Sequence, residues 1–290
     1  MRTKERTAQT FREALAAFTL TELLVVVGVL AILALTMLPV LGRSQPQSRT
    51  ARCQHNLKQL AVAWQMYAED YNGRIVSNFQ GAYLPGPTGT AGWVSGWLDW
   101  STSSQNTNVY FLIDKRYGAL ASYINGASNL FKCPADHYLS SQQRSRGWLQ
   151  RVRSYSLNAY VGENVPLGQP GGPSGPPIYR QTRKISEFLH PAPAEVAVFI
   201  EEHPDSMNDP AFLSPNKTTW IDSPGTYHNG AATFAFADGH TEVRHWRGSL
   251  ATGPATRVSY VHINNNSAPA GDEDIRWMSY RTPRISANSY

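Results

Sequence analysis

The sequence predicts an α+β fold in which one long N-terminal helix, its first half transmembrane, packs on an antiparallel sheet. Three observations carry this. Residues 18–41 form an apolar run of 24 residues, about 36 Å as a helix and long enough to span a bilayer. Apolar residues then recur at Leu57, Leu60, Ala61, Trp64, Tyr67, Ala68 and Tyr71, in steps of three and four that mark one helix face. Beyond them, short alternating or apolar runs bounded by turn residues read as strands.

The first 17 residues form a polar leader with Arg2, Lys4, Arg6 and Arg12 against Glu5 and Glu13. Basic residues on this short side favour a cytoplasmic N-terminus, although Arg43, Arg49 and Arg52 on the other flank weaken the bias. The helix is expected from Phe18 to about Tyr71, disturbed at Pro39 and around Ser44-Gln45-Pro46-Gln47, with Asn72-Gly73 as its stop signal. Its one acid among apolar residues is Glu22. A carboxylate inside a bilayer costs roughly 2.5–3.5 kcal/mol at a helix centre, so it calls for a partner.

After the helix, residues 74–150 are rich in Gly, Ser, Asn and Trp, with Trp93, Trp97 and Trp100 close together. Leu120–Ile124 reads as a short helix, and Phe131–Asp136 as a strand end turning at Pro134. Strands are expected at Ser154–Val161, Ala194–Glu201, Ala231–Ala237, Thr241–His245 and Val258–Ile263. The third and fourth form a hairpin around Asp238-Gly239, a favoured turn dipeptide. Residues 164–177 are an exposed Pro/Gly-rich loop.

Charge excludes little. The formal net charge is +5, from 26 basic and 21 acidic residues, and it falls to +3 without the leader. That modest excess is no basic stripe, and the densest cluster, Arg144, Arg146, Arg151 and Arg153, reads as a solvated loop, so no nucleic-acid partner is expected. The two cysteines, Cys53 and Cys133, read as one disulfide in an oxidising compartment or as two buried thiols. The lack of a CxxC spacing argues against zinc. No GxSxG, HExxH, Walker or dinucleotide motif is present, and Glu201 and Glu202 beside His203 would face opposite sides of a strand, so no enzyme is expected.

Two motifs are specific. Phe18-Thr19-Leu20-Thr21-Glu22-Leu23-Leu24, abutting a basic leader and an apolar run, resembles the N-terminus of type IV prepilins and type II secretion pseudopilins. The resemblance implies cleavage between Ala17 and Phe18 by a prepilin peptidase/methyltransferase, with N-methylation of Phe18. The family usually carries Gly where this chain has Ala17. It also implies that Glu22, fifth in the mature chain, meets a neighbouring subunit's terminal ammonium, and that Pro39 stands where pilins often bend. The second motif runs from His228-Asn229-Gly230 to Asp238-Gly239-His240. With nine residues between His228 and Asp238, it resembles the H-X9-DG element of large prepilin-like proteins of planctomycete and verrucomicrobial bacteria. Those proteins also share an Asn-Leu-Lys-Gln-Leu-like helix after a Cys and a Cys-Pro-x-Asp, here Cys53 to Leu60 and Cys133 to Asp136.

The implied protein is a pilin-like structural subunit of a type II secretion or type IV pilus-like assembly. It comprises a leader (1–17), a transmembrane half-helix (18–41) and an extracytoplasmic domain (42–290) holding the hairpin element at 228–239. It would sit in the inner membrane as a single-pass protein, N-terminus cytoplasmic and body periplasmic, meeting other pseudopilin subunits and an inner-membrane assembly platform. The alternatives are an anchored carbohydrate-binding protein using the Trp-rich loop and a DNA-uptake pilin using the arginines. His228, Asp238 and His240 are read as a structural hairpin or, with Glu201, Glu202 or His203, as a metal site. Oxygen ligands would favour calcium and imidazoles zinc.

Overall fold

A computed structural model of the protein describes residues 19–81, 83–85, 89–163 and 178–286, with the side chains of 34–47 and 254 outside that description. The chain forms two compact units, Met1–Gln45 and Pro46–Tyr290. Helix α1 (Leu20–Asp70) contributes to both.

In the first unit, α1 starts with a capping box. The Thr19 hydroxyl accepts from the Glu22 backbone N–H at 3.3 Å. The Glu22 carboxylate accepts from the Thr19 N–H at 2.9 Å and from its hydroxyl at 2.6 Å. Every residue from Thr19 to Leu33 is exposed. Among the described residues no helix is long and apolar enough to cross a membrane. This overturns the transmembrane half-helix expected over 18–41 and, with it, the single-pass inner-membrane placement.

In the second unit, α1 buries Leu57, Leu60, Ala61, Trp64 and Ala68 of the face read from the sequence, and Cys53 with them, whereas Tyr67 is half-buried and Tyr71 exposed. It ends as expected: Asn72 and Gly73 take φ of 55° and 78°, and the Gly73 N–H reaches back to the Ala68 carbonyl at 2.7 Å. This is the 6→1 bond of a Schellman cap.

The main sheet has the order β3-β1-β2-β5-β6, with β1 at Tyr155–Asn158, β2 at Ala197–Glu201, β3 at Ala211–Phe212, β5 at Ala231–Phe236 and β6 at Thr241–His245. A two-stranded ribbon pairs β4 (Thr219–Trp220) with β7 (Asn266–Ser267). The sheet is mixed, which corrects the antiparallel expectation: β1 and β3 pair in parallel through Leu157 with Ala211 and Asn158 with Phe212. The cause is topological. β2 runs opposite to β1, and the chain reverses again before laying β3 on the other edge of β1, so β3 arrives running the same way.

Both faces of the sheet are covered. On one, α1 packs through Leu57, Leu60 and Trp64 into a core with Leu157, Phe199 and Ala235. On the other, Ile200, Phe212, Phe234 and Phe236 meet Trp246, Leu250, Ile275 and Met278, the last two from helix Glu273–Ser279. Two-sided burial explains why β2 and β5 are buried at every position. A register shift between Ala197 and Phe199 marks a bulge. Val198 and Phe199 therefore both join the α1-side core, while Ala197 and Ile200 join the opposite one.

Residues 258–263, expected as a strand, form none. They wrap Asp205, whose carboxylate accepts the N–H groups of Ser259 at 2.6 Å and Tyr260 at 3.0 Å. The arginine cluster is divided, with Arg144 and Arg146 exposed as expected and the other two not. Arg151 and Arg153 are fully buried, and Arg151 lies 4.0 Å over the Trp100 ring. Trp93 is in the core. The leader, the Ala17–Phe18 cleavage position and the 164–177 loop lie outside the described residues, as does the Pro39 side chain.

Candidate metal centre

Sheet geometry builds one side of a buried polar site. Tyr155 on β1 stands opposite Glu201 on β2. Continuing the β2–β5 register past Ile200 and Phe234 brings Thr233 beside Glu201. Period-two alternation puts Glu201 on the same face as Phe199, towards α1. There Cys53 descends from the helix: its sulfur is 3.0 Å from the Tyr155 hydroxyl, 2.8 Å from Thr233 Oγ1 and 3.2 Å from Glu201 Oε1.

Cys133 enters from the loop after the 3-10 turn Ser128–Phe131. Three devices fix that loop. Asn56 of α1, one turn past Cys53, donates to the Lys132 carbonyl at 2.9 Å. Lys132 and Asp136 form a buried ion pair at 2.5 Å. The Ala135 N–H donates to the Cys133 sulfur at 3.3 Å. His228 arrives from the turn before β5, where Asn229 and Gly230 adopt φ of 55° and 78°. Its Nε2 lies 3.2 Å from Glu201 Oε1 and 3.5 Å from the Cys133 sulfur, and its Nδ1 is 3.0 Å from Thr50 Oγ1.

One ligating atom from each of Cys53, Cys133, Glu201 and His228 thus lies within 4.8 Å of the other three. The first three residues are 0 % exposed and His228 7 %. Burial raises the Cys53 thiol and carries the Cys133 thiol well above its usual range. Burial alone would lower His228, but hydrogen bonds to Cys133 and Glu201 together with the Glu201 charge carry it up to about 10. The two cysteines are free, so the expected disulfide is not formed. The two thiols hydrogen-bond each other, with Cys53 also against Glu201 and Cys133 against His228.

The triad His228, Asp238 and His240 is divided. Asp238 and His240 stay at the far end of the hairpin, where Asp238 Oδ1 takes the His240 N–H at 3.0 Å and lies 2.6 Å from its Nδ1. Lys58 donates to the Gly239 carbonyl at 2.6 Å, tying α1 to this turn. Glu201 and Glu202 diverge as alternation requires: Glu202 accepts from Ser156 and Ser206 on the opposite face. Sequence reasoning did not join Cys53 and Cys133 to Glu201 and His228. Four ligands on four separate segments leave no spacing signature; the only trace is that each opens or closes a motif or strand.

Comparison with protein-family models, curated proteins and solved structures gives no match. The donor set has its own chemistry. Two sulfurs and an imidazole suit a softer ion than calcium, which takes six to eight oxygens.

Proposed function

We propose that this chain is a structural subunit of the pseudopilin or prepilin-like kind, acting in a type II secretion or type IV pilus-like assembly. The supporting observation is the bare apolar surface at the start of α1. Leu20 is 75 % exposed, Val25 66 % and Leu24 63 %. Burying each such side chain gains roughly 1.5–3 kcal/mol, and a continuous exposed patch of this kind marks an interaction surface. Packing copies of the same segment together supplies the missing cover. Glu22, the one acid in this stretch, then sets register: its capping bonds with Thr19 hold the carboxylate ionised, and a neighbour must compensate that charge. Cleavage after Ala17 would place an ammonium at Phe18, one residue before Thr19 in the sequence.

Two measurements on the full chain, co-expressed with a prepilin peptidase, test this. Mass spectrometry should find a methylated Phe18 at the N-terminus. Chemical cross-linking should give multimers that Leu24→Arg abolishes and Glu22→Ala strongly reduces. A chain that keeps Met1, or multimers formed at normal yield by Leu24→Arg, would overturn the reading.

A further inference from the structure

We propose that Cys53, Cys133, Glu201 and His228 bind one zinc ion in a closed, four-coordinate structural site. The inference stands apart from the assembly reading, because every ligand lies within the Pro46–Tyr290 unit.

The first argument is spacing. Zinc bonds of about 2.0 Å to nitrogen or oxygen and about 2.3 Å to sulfur give tetrahedral edges of about 3.3–3.8 Å between ligand atoms. The measured edges are 3.2 Å from the Cys53 sulfur to Glu201 Oε1, 3.2 Å from that oxygen to His228 Nε2 and 3.5 Å from Nε2 to the Cys133 sulfur. The remaining edges lie within 4.8 Å, so shifts of up to about one ångström convert this cluster into a coordination shell.

The second argument is orientation. Metal ligands are normally held by outer hydrogen bonds that leave the ligating atom free. Both donors of Thr233, its N–H at 2.9 Å and its hydroxyl at 3.0 Å, go to Glu201 Oε2, which leaves Oε1 facing the sulfurs. Thr50 engages His228 Nδ1, which leaves Nε2 facing inward. The Ala135 N–H points at the Cys133 sulfur. Glu201 and His228, from two segments, are thus held with the ligating atom free, while the Ala135 N–H donates to the Cys133 sulfur itself.

The third argument is donor chemistry and access. Two thiolates, one imidazole and one carboxylate fill the four positions zinc prefers, with only two of the four sulfurs an iron–sulfur cluster takes and too few oxygens for calcium or magnesium. A cleft of about 580 Å³, lined by Arg49, Thr50, His137, Tyr138, His228 and Asn229, gives an entry path to the His228 side. The ligands come from α1, the 133 loop, the end of β2 and the entry to β5, so one ion ties together four segments distant in sequence.

The test begins with the unaltered full chain. After chelation and dialysis, zinc chloride should bind at one equivalent per chain. Cobalt(II) should give the visible bands of a tetrahedral ion together with thiolate-to-metal charge transfer, and thiol titration without reductant should find both cysteines reduced. Glu201→Gln and Cys133→Ser should each weaken zinc at least 100-fold. Thr233→Val, which touches no metal, should weaken it about 10–100-fold, and Asp238→Asn should leave it unchanged. A folded wild-type chain that takes up neither ion, or a quantitative Cys53–Cys133 disulfide, would overturn the proposal. So would cobalt bound without charge transfer.

Discussion

Removing Asp136 isolates how the Cys133 loop is held. Lys132 is 6 % exposed and Asp136 3 %. Their charged atoms are 2.5 Å apart, and Ser154 Oγ donates to the same carboxylate oxygen at 2.7 Å. Burial lowers Lys132 and by itself would raise Asp136, but the charges of Lys132 and Arg151 with the hydrogen bonds from Lys132 and Ser154 hold Asp136 below its usual range. Asp136→Ala therefore strands an ammonium in an apolar interior, a loss of about 3–5 kcal/mol. At about 2–4 °C per kcal/mol for a unit of this size, Tm falls by roughly 6–20 °C. Replacing both partners, Lys132→Met with Asp136→Ala, should recover at least half of that loss, because the desolvated charge is gone. All eight tryptophans lie between Trp64 and Trp277, inside the Pro46–Tyr290 unit, so tryptophan fluorescence during urea unfolding reports this unit alone. A double variant no more stable than the single would refute the uncompensated-charge argument and leave packing as the cause.

Gly162 has φ of +87°, and a Cβ there would collide with the Val76 carbonyl oxygen. Gly162→Ala should lower stability by about 2 kcal/mol or more, measured in the same urea assay, through strain and a backbone clash that no side-chain rotation relieves. A second prediction concerns pH. Burial raises Glu202 to about 7, so its contribution is full below the unfolded value of 4.5 and fades as pH rises towards 7. Burial lowers His203 to about 4, so its contribution is full above 6.5 and fades as pH falls towards 4. Between pH 4.5 and 6.5 the two slopes oppose. Glu202→Gln removes one of them, and stability should then climb with pH more steeply than in the wild type, by up to about 1.4 kcal/mol per pH unit. Parallel pH profiles for the two proteins would contradict this.

The parts legible in the sequence were those governed by local periodicity. Leu57, Leu60, Trp64 and Ala68 announced the buried face of α1, and all four are buried. Asp238-Gly239 announced the β5–β6 hairpin, whose Gly239 takes φ of +88°. What failed depended on tertiary contacts. The parallel β1–β3 pair is set by chain routing after β2, which no local pattern records. Val258–Ile263 alternates like a strand, but the Asp205 carboxylate claims the backbone donors of Ser259 and Tyr260. Arg151 and Arg153 read as solvated because arginine usually is, yet Arg153 finds carbonyl acceptors on Tyr155 and Asp209 inside the fold. His228 with Glu201 was among the metal-site candidates, but the part of Cys53 and Cys133 in the cluster was hidden for the same reason. The DG motif drew attention to the wrong end of its hairpin, while His228 and Glu201 owe their meeting to strand register.

The extra residue at Val198 also constrains how this chain can change. Upstream of Glu201 the strand behaves like a ratchet with two teeth, one for each neighbouring acid. Inserting or deleting one residue between Ala197 and Glu201 would exchange the rooms that Glu201 and Glu202 occupy, sending one carboxylate away from both cysteines and pushing the other among them. Point substitutions along β2 are thus graded in effect, whereas a change of length there switches the chemistry of both sides at once.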